Sequence, residues 1–111
     1  MVAPTEPTHL RLFEAVRPLP SVALDRHRGE VLSSASRHKM GKVRVFGSVA
    51  RGQDTRSSDV DLLVTADEGA SLFDLVAFAQ ETEDIVGCPV DVISDRTVPP
   101  DSSIALDALS L

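Results

Sequence analysis

The side chains best suited to chemistry lie in two short segments near the middle of the chain. Gly47 and Ser48 follow one apolar run, and Asp59 and Asp61 stand two residues apart at the start of another. Successive side chains of a strand point to opposite faces, so the two carboxylates are predicted to project together. Like charges this close repel unless a cation neutralises them, and Mg²⁺ prefers such oxygen ligands. The pair indicates a magnesium site, although a solvated strand face would also fit.

The Gly-Ser pair is predicted to form a turn between a strand over residues 42–46 and a short helix that begins near Val49. Glycine lets the backbone approach an anion, and the N–H groups of such a turn can bind phosphate. The Ser48 hydroxyl adds a further donor. An ordinary turn would look the same. The combination with Asp59 and Asp61 is what predicts binding of a nucleoside triphosphate through its metal ions.

Together these segments resemble the signature of the minimal nucleotidyltransferases, small members of the DNA polymerase β-like nucleotidyltransferase superfamily. The resemblance covers roughly residues 37–95 and is carried by residues 47–52 and 58–62. It implies an α+β (α/β) fold, in which helices pack a small mixed β-sheet. It also implies that Gly47 and Ser48 bind the triphosphate, and that Asp59 and Asp61 bind two Mg²⁺ ions.

The superfamily requires a third carboxylate on a neighbouring strand, and the resemblance assigns it to Asp91 in the apolar run 89–93. Burying an acid without a partner is costly, so Asp91 is expected either to face the metals or to lie on an exposed sheet face. By the same resemblance, it could take the proton from the attacking hydroxyl. Arg51 is expected either to reach the triphosphate or to pair with a local acid such as Asp54 or Asp59.

The resemblance also implies an activity and a partner. Members of the family commonly transfer AMP from ATP to a tyrosine of a HEPN ribonuclease toxin, and so act as the antitoxin of a two-gene pair. Such transfer would use two Mg²⁺ ions to clamp the attacking and leaving oxygens. Two other functions stay open. The protein could block the toxin by binding alone, or it could modify a small molecule such as an aminoglycoside.

Composition favours one acidic domain. The chain has 111 residues, with 17 acids against 11 bases and a net charge of −6. This balance argues against direct nucleic-acid binding, which depends on Lys and Arg. No apolar run predicts a membrane span, and the start lacks the features of a signal peptide. The single Cys88 permits no internal disulfide, so a cytoplasmic location is expected. The oligomeric state, homomeric or heteromeric, stays open.

Four prolines crowd residues 1–20 and predict a flexible arm, so the nucleotidyltransferase domain is expected over 21–111 with its motif core at 42–94. A first helix is predicted to begin with Ser21 as its N-cap and to end at Gly41. The polar loop 53–57 is expected to become ordered only when nucleotide binds.

A second helix is predicted from a capping box at Ser71 to Gly87. Its apolar stripe is expected to cover the sheet through four residues, Leu72, Leu75, Val76 and Ala79. The last segment, 101–111, predicts a short helix capped by Asp101 or Ser102, which docks on its own domain or on another protein.

Overall fold

The computed structural model describes residues 18–111, whose strands form a four-stranded mixed sheet in the order β3-β2-β1-β4. The strands are β1 (Met40–Phe46), β2 (Val60–Ala66), β3 (Val90–Ser94) and β4 (Leu109–Ser110). Strand β1 is antiparallel to β2 and β4, whereas β2 and β3 are parallel. The predicted fold class is confirmed. The predicted arm over 1–20 falls almost entirely outside the described residues.

Helices connect and cover the strands. They are α1 (Pro20–Arg26), α2 (Arg28–Arg37), α3 (Gly47–Ala50), α4 (Leu72–Val86) and α5 (Ser103–Asp107), with a 3₁₀ turn at Asp95–Thr97. The capping box of α4 is confirmed, since Ser71 and Asp74 bond each other's backbone N–H groups, and Gly87 ends the helix at a φ of 77°. None of the helices within 18–111 has the length and apolar composition that a membrane span requires.

The core lies between one face of the sheet and helices α2 and α4. Val60, Leu62 and Val64 alternate along β2 and are fully buried, as the sequence predicts. They belong to the same buried cluster as Phe78 of α4. Because this face is held by packing, the opposite face of β2, which carries Asp61, is fixed in direction as well.

The first predicted helix is wrong in detail. The segment forms two helices that break at His27, and α1 begins at Pro20 with Leu19 as its N-cap. Proline fits a first helical position because its missing N–H would have no partner there. The predicted terminator, Gly41, lies in β1 instead.

The polar loop 53–57 contacts the first helix. Its Asp54 carboxylate accepts a hydrogen bond from the Ser21 backbone N–H at 2.8 Å, which ties the loop to α1. Thr55 and Ser58 bond each other through backbone and side-chain groups. Ordering of the loop by nucleotide stays a prediction.

The apolar stripe of α4 is only partly correct. Leu72 and Val76 are 73% and 46% exposed, whereas Phe78, Thr82 and Val86 are buried. The middle and end of α4 pack on the domain, but its first turn projects beyond the sheet. The spacing of apolar residues predicts which face of a helix is apolar, but it does not predict how much of that face packs against the rest of the domain.

The C-terminal segment docks on its own domain. Ser102 caps α5 by accepting a hydrogen bond from the Ala105 N–H at 3.2 Å, which selects it over Asp101. Strand β4, which the sequence did not predict, then pairs with β1. The Leu111 N–H donates to the Val43 carbonyl at 3.0 Å and continues this attachment.

One polar cluster joins the three strands that form the site. The Asp95 carboxylate accepts hydrogen bonds from Arg44 of β1 at 3.1 Å and from Thr65 of β2 at 2.5 Å. The Thr65 hydroxyl and then the Arg44 guanidinium hold the pKa of Asp95 below its ordinary value. Asp95 directly follows β3, so the cluster fixes β3 against the other two strands.

We expect Asp95→Ala to lower the free energy of unfolding at about pH 7 by about 1–3 kcal/mol, because two donors lose a charged acceptor. The Asp95 pKa is lower in the folded than in the unfolded protein. Its contribution is therefore present above the ordinary value of 3.8 and is lost as pH falls through the folded pKa. Urea denaturation of both proteins at neutral and acidic pH measures this difference. Asp101→Ala, at an exposed acid, is the control, and an equal loss there would contradict the assignment.

Candidate active site

The register of the sheet brings the predicted carboxylates to one edge of the fold. Asp61 of β2 pairs with Asp91 of β3 and, on its other side, with Phe46 of β1. Residues directly opposite each other in neighbouring strands share a face, so Asp61 and Asp91 stand side by side. Asp59 is exposed and comes just before β2, which begins at Val60. The structure thus places the three predicted acids at the N-terminal ends of two parallel strands.

Gly47 has a structural reason to be glycine. It follows β1 at a φ of 73°, and a Cβ built on it would lie 2.3 Å from the Asp61 Oδ2 atom. Real Cβ atoms are essentially never so close to another atom, and L side chains rarely adopt this backbone conformation. The turn after β1 and the Asp61 carboxylate are therefore in direct contact. The predicted phosphate-binding turn therefore lies directly against one of the predicted metal ligands.

The charges of Asp59 and Asp91 act on the Asp61 carboxylate. Partial burial raises the pKa of Asp61, and the negative charges of Asp91 and Asp59 raise it further, while Arg51 opposes the shift. None of the three carboxylates accepts a hydrogen bond or forms an ion pair within residues 18–111. The fold therefore concentrates negative charge that Arg51 offsets only in part.

Ser48 and Arg51 follow Gly47 along the chain, in α3 and at its C-terminal end. Ser48 is half-buried in α3, and its hydroxyl forms no hydrogen bond within residues 18–111. The Arg51 Nε atom donates to the Gln53 side chain at 3.2 Å. Within the described part of the chain, Arg51 pairs with neither Asp54 nor Asp59, which were its alternative partners. Both side chains are thus available to a ligand.

The donor set suits a hard divalent cation, because three carboxylates at one edge supply the oxygen ligands that Mg²⁺ uses. The set is not assembled as a ready-made cage. Within residues 18–111, no three Asp, Glu, His or Cys side chains come close enough together to hold a metal ion.

Of three cavities among residues 18–111, one of 550 Å³ lies between α2 and α4, and the other two lie at opposite ends of the sheet. One of 360 Å³ opens between the start of α4 and the ends of β2 and β3, far from the carboxylates and lined mostly by apolar side chains. The other, of 220 Å³, adjoins Gly47. Their lining and not their size decides between these two, because the second includes Gly47 and Arg51, whereas the first includes none of the predicted site residues.

Comparison with known proteins gives the family of this chain. The family model described as nucleotidyltransferase domain matches residues 24–106. The chain belongs to this family. A candidate protein adenylyltransferase of Methanocaldococcus jannaschii is 39% identical over 64 residues, which are 58% of this chain and 69% of the relative.

Solved structures extend the match to the fold. A candidate minimal nucleotidyltransferase superposes with a TM-score of 0.74 at 39% identity, over 82% of this chain and 95% of that one. The crystal structure of a toxin–antitoxin with AMP-PNP gives a TM-score of 0.56 at 22% identity, over 64% of this chain and 59% of that one. At this lower identity the likeness concerns the fold alone. The expected membership of the minimal nucleotidyltransferases is confirmed, and the protein is a nucleotidyltransferase enzyme.

We expect Gly47→Ala to disrupt the nucleotidyltransferase more than Gly52→Ala. Both glycines have a positive φ, 73° and 68°, but only a Cβ at Gly47 would strike Asp61. Gly52→Ala therefore measures the backbone strain alone, about 1–2 kcal/mol. Thermal unfolding of the two variants separates strain from collision. Equal shifts of the midpoint would show that the Gly47 turn does not press against Asp61.

We also expect Asp61→Asn to stabilise the metal-free enzyme at neutral pH. The pKa of Asp61 is higher in the folded than in the unfolded protein, so stability falls as pH rises from 3.8 through the folded pKa. Asparagine removes this cost, and its advantage should vanish below the ordinary value. Unfolding midpoints in EDTA across this range test the sign. Glu68→Gln, at an exposed loop acid, controls for the change in net charge and should show no such pH-dependent gain.

Proposed function

We propose that this nucleotidyltransferase transfers AMP from ATP to a tyrosine hydroxyl of a HEPN ribonuclease toxin, and thereby acts as an antitoxin. The observation that carries the proposal is the contact between the Gly47 turn and Asp61, with Asp91 paired in register beside it. The same edge of the protein thus offers groups for phosphate and groups for a cation.

The comparisons support the proposal at two points. The relative from Methanocaldococcus jannaschii carries the name of a protein adenylyltransferase, which indicates a protein as acceptor and AMP as the transferred group. The toxin–antitoxin with AMP-PNP shares the fold, which favours a toxin partner and an adenine nucleotide for this chain also.

Each residue has a proposed role. Asp59, Asp61 and Asp91 would hold Mg²⁺, which when bound neutralises phosphate charge and acidifies the attacking hydroxyl. Ser48 and the N–H groups of its turn hydrogen-bond the triphosphate oxygens, and the Arg51 guanidinium adds positive charge there.

The transfer step itself is a displacement at the α-phosphorus. The acceptor oxygen forms the new bond, the bond to the bridging oxygen of the β-phosphate breaks, and pyrophosphate leaves. Asp91 is exposed and has no partner within residues 18–111, so its carboxylate can receive the proton of the acceptor hydroxyl.

The test uses ATP labelled at the α-phosphate, Mg²⁺ and the product of the neighbouring gene, which the proposal expects to be the toxin. We expect label on a tyrosine of the toxin, and none when the label is on the γ-phosphate. The 111-residue chain contains no tyrosine, so tyrosine-linked AMP in the reaction cannot come from the enzyme. A stable complex without label would instead show inhibition by binding, and label only on an added aminoglycoside would show a small-molecule substrate.

The matched variants are Asp59→Asn, Asp61→Asn and Ser48→Ala. Each Asp variant should lower the transfer rate more than about 100-fold, since a metal clamp contributes several kcal/mol to the transition state. Ser48→Ala should cost about tenfold, because the backbone donors remain. Asp67→Asn, at an exposed acid beyond the end of β2, is the control. Full transfer by either Asp variant at these positions would overturn the metal assignment.

A further inference from the structure

A small cavity shares a wall with the candidate active site. Its volume is 220 Å³, and half of its lining comes from the C-terminal helix α5, which the sequence pattern tied to no function. The lining residues are Phe46, Gly47, Arg51, Ser103, Ile104 and Asp107. A cavity of this size holds part of a ligand, since sites for whole ligands usually measure about 300–1,000 Å³.

The cavity lies on the β1 side of Asp61. Phe46 is the residue of β1 that pairs with Asp61, and Gly47 is the residue whose Cβ would strike its carboxylate. Asp91 lies on the other side of Asp61, because the strand order is β3-β2-β1. A nucleotide with its phosphates at the Gly47 turn therefore has this cavity as one neighbour and the acids as the other.

The chemistry of the walls differs from that of a phosphate site. Phe46 and Ile104 are apolar, and Ile104 is only partly buried in the protein alone. Asp107 and Ser103 are exposed, and their side chains form no hydrogen bond within residues 18–111. A carboxylate repels phosphate, but it accepts hydrogen bonds from ribose hydroxyls or from an amino group of a base. The apolar residues suit the flat face of a base.

We propose that this cavity binds the nucleoside part of the nucleotide, with Asp107 as hydrogen-bond acceptor and with Phe46 and Ile104 in contact with the ring. The inference rests on the proposed use of a nucleoside triphosphate, and it adds the residues that contact the nucleoside and not the phosphates. Asp107 lies just beyond the matched residues 24–106, whereas the other five lining residues lie within them.

The test compares equilibrium binding of ATP and of inorganic tripolyphosphate to the full chain by calorimetry, in the same magnesium buffer. Asp107→Ala should weaken ATP binding about tenfold, the loss expected for one hydrogen bond to a charged group. Ser103→Trp, at an exposed position in the lining, should weaken it further by filling the cavity. Tripolyphosphate should bind both variants at least as tightly as the wild type.

Asp101→Ala is the matched control, because Asp101 is an exposed acid close to α5 and outside the cavity lining. Thermal unfolding confirms that each variant is folded, and Asp107→Ala decides alone if the tryptophan prevents folding. Unchanged ATP affinity in Asp107→Ala would overturn the inference and leave the proposed function standing. An equal loss of tripolyphosphate binding would also overturn it, since the cavity would then hold phosphate. A wild type that binds no ATP would overturn both proposals.

Discussion

The contact between the Gly47 backbone and the Asp61 carboxylate is the constraint on which the rest of the site depends. Many folds place an acid near the end of a strand. Here Gly47 has no Cβ, so its backbone lies closer to the Asp61 carboxylate than any other residue type would allow. Because Gly47 has no side chain, the turn proposed to bind phosphate can lie directly against the acid proposed to bind a cation. The antiparallel pairing of β1 with β2 sets this contact, and the parallel pairing of β2 with β3 adds Asp91.

The ionised form of Asp61 opposes folding for the same physical reason that would let it bind a cation. Burial and two neighbouring charges raise the pKa of Asp61, so the ionised state is costly in the protein alone. The proposed Mg²⁺ would offset that cost, because a divalent cation supplies positive charge beside the carboxylates. Asp95 shows the contrast, since its carboxylate has two donors and a lowered pKa. Asp95 thus stabilises the strands. Asp59, Asp61 and Asp91 form no hydrogen bond or ion pair within residues 18–111, so their carboxylates are open to a ligand.

Sequence patterns predicted local features better than features that depend on contacts between distant segments. The capping box at Ser71, the strand after Asp59 and the cap at Ser102 depend on neighbouring residues, and each is present. The break at His27, the exposure of Leu72 and Val76 and the pairing of β4 depend on contacts between distant segments. Periodicity describes which face of a helix is apolar, but the sheet and the neighbouring helices decide how much of that face is covered.

The amino-acid sequence by itself determined the chemical groups of this nucleotidyltransferase: the Gly-Ser turn, the spacing of Asp59 and Asp61, and the isolated acid at Asp91. These follow from local rules, because a strand alternates its side chains and glycine adopts backbone angles that other residues avoid. Only the tertiary structure decided that Asp61 contacts Gly47 and that Asp91 pairs with Asp61 in the neighbouring strand. The tertiary structure also decided that α5 lines a cavity beside them. Those relations join segments far apart in the chain, and strand register and packing fix them, which no local pattern encodes.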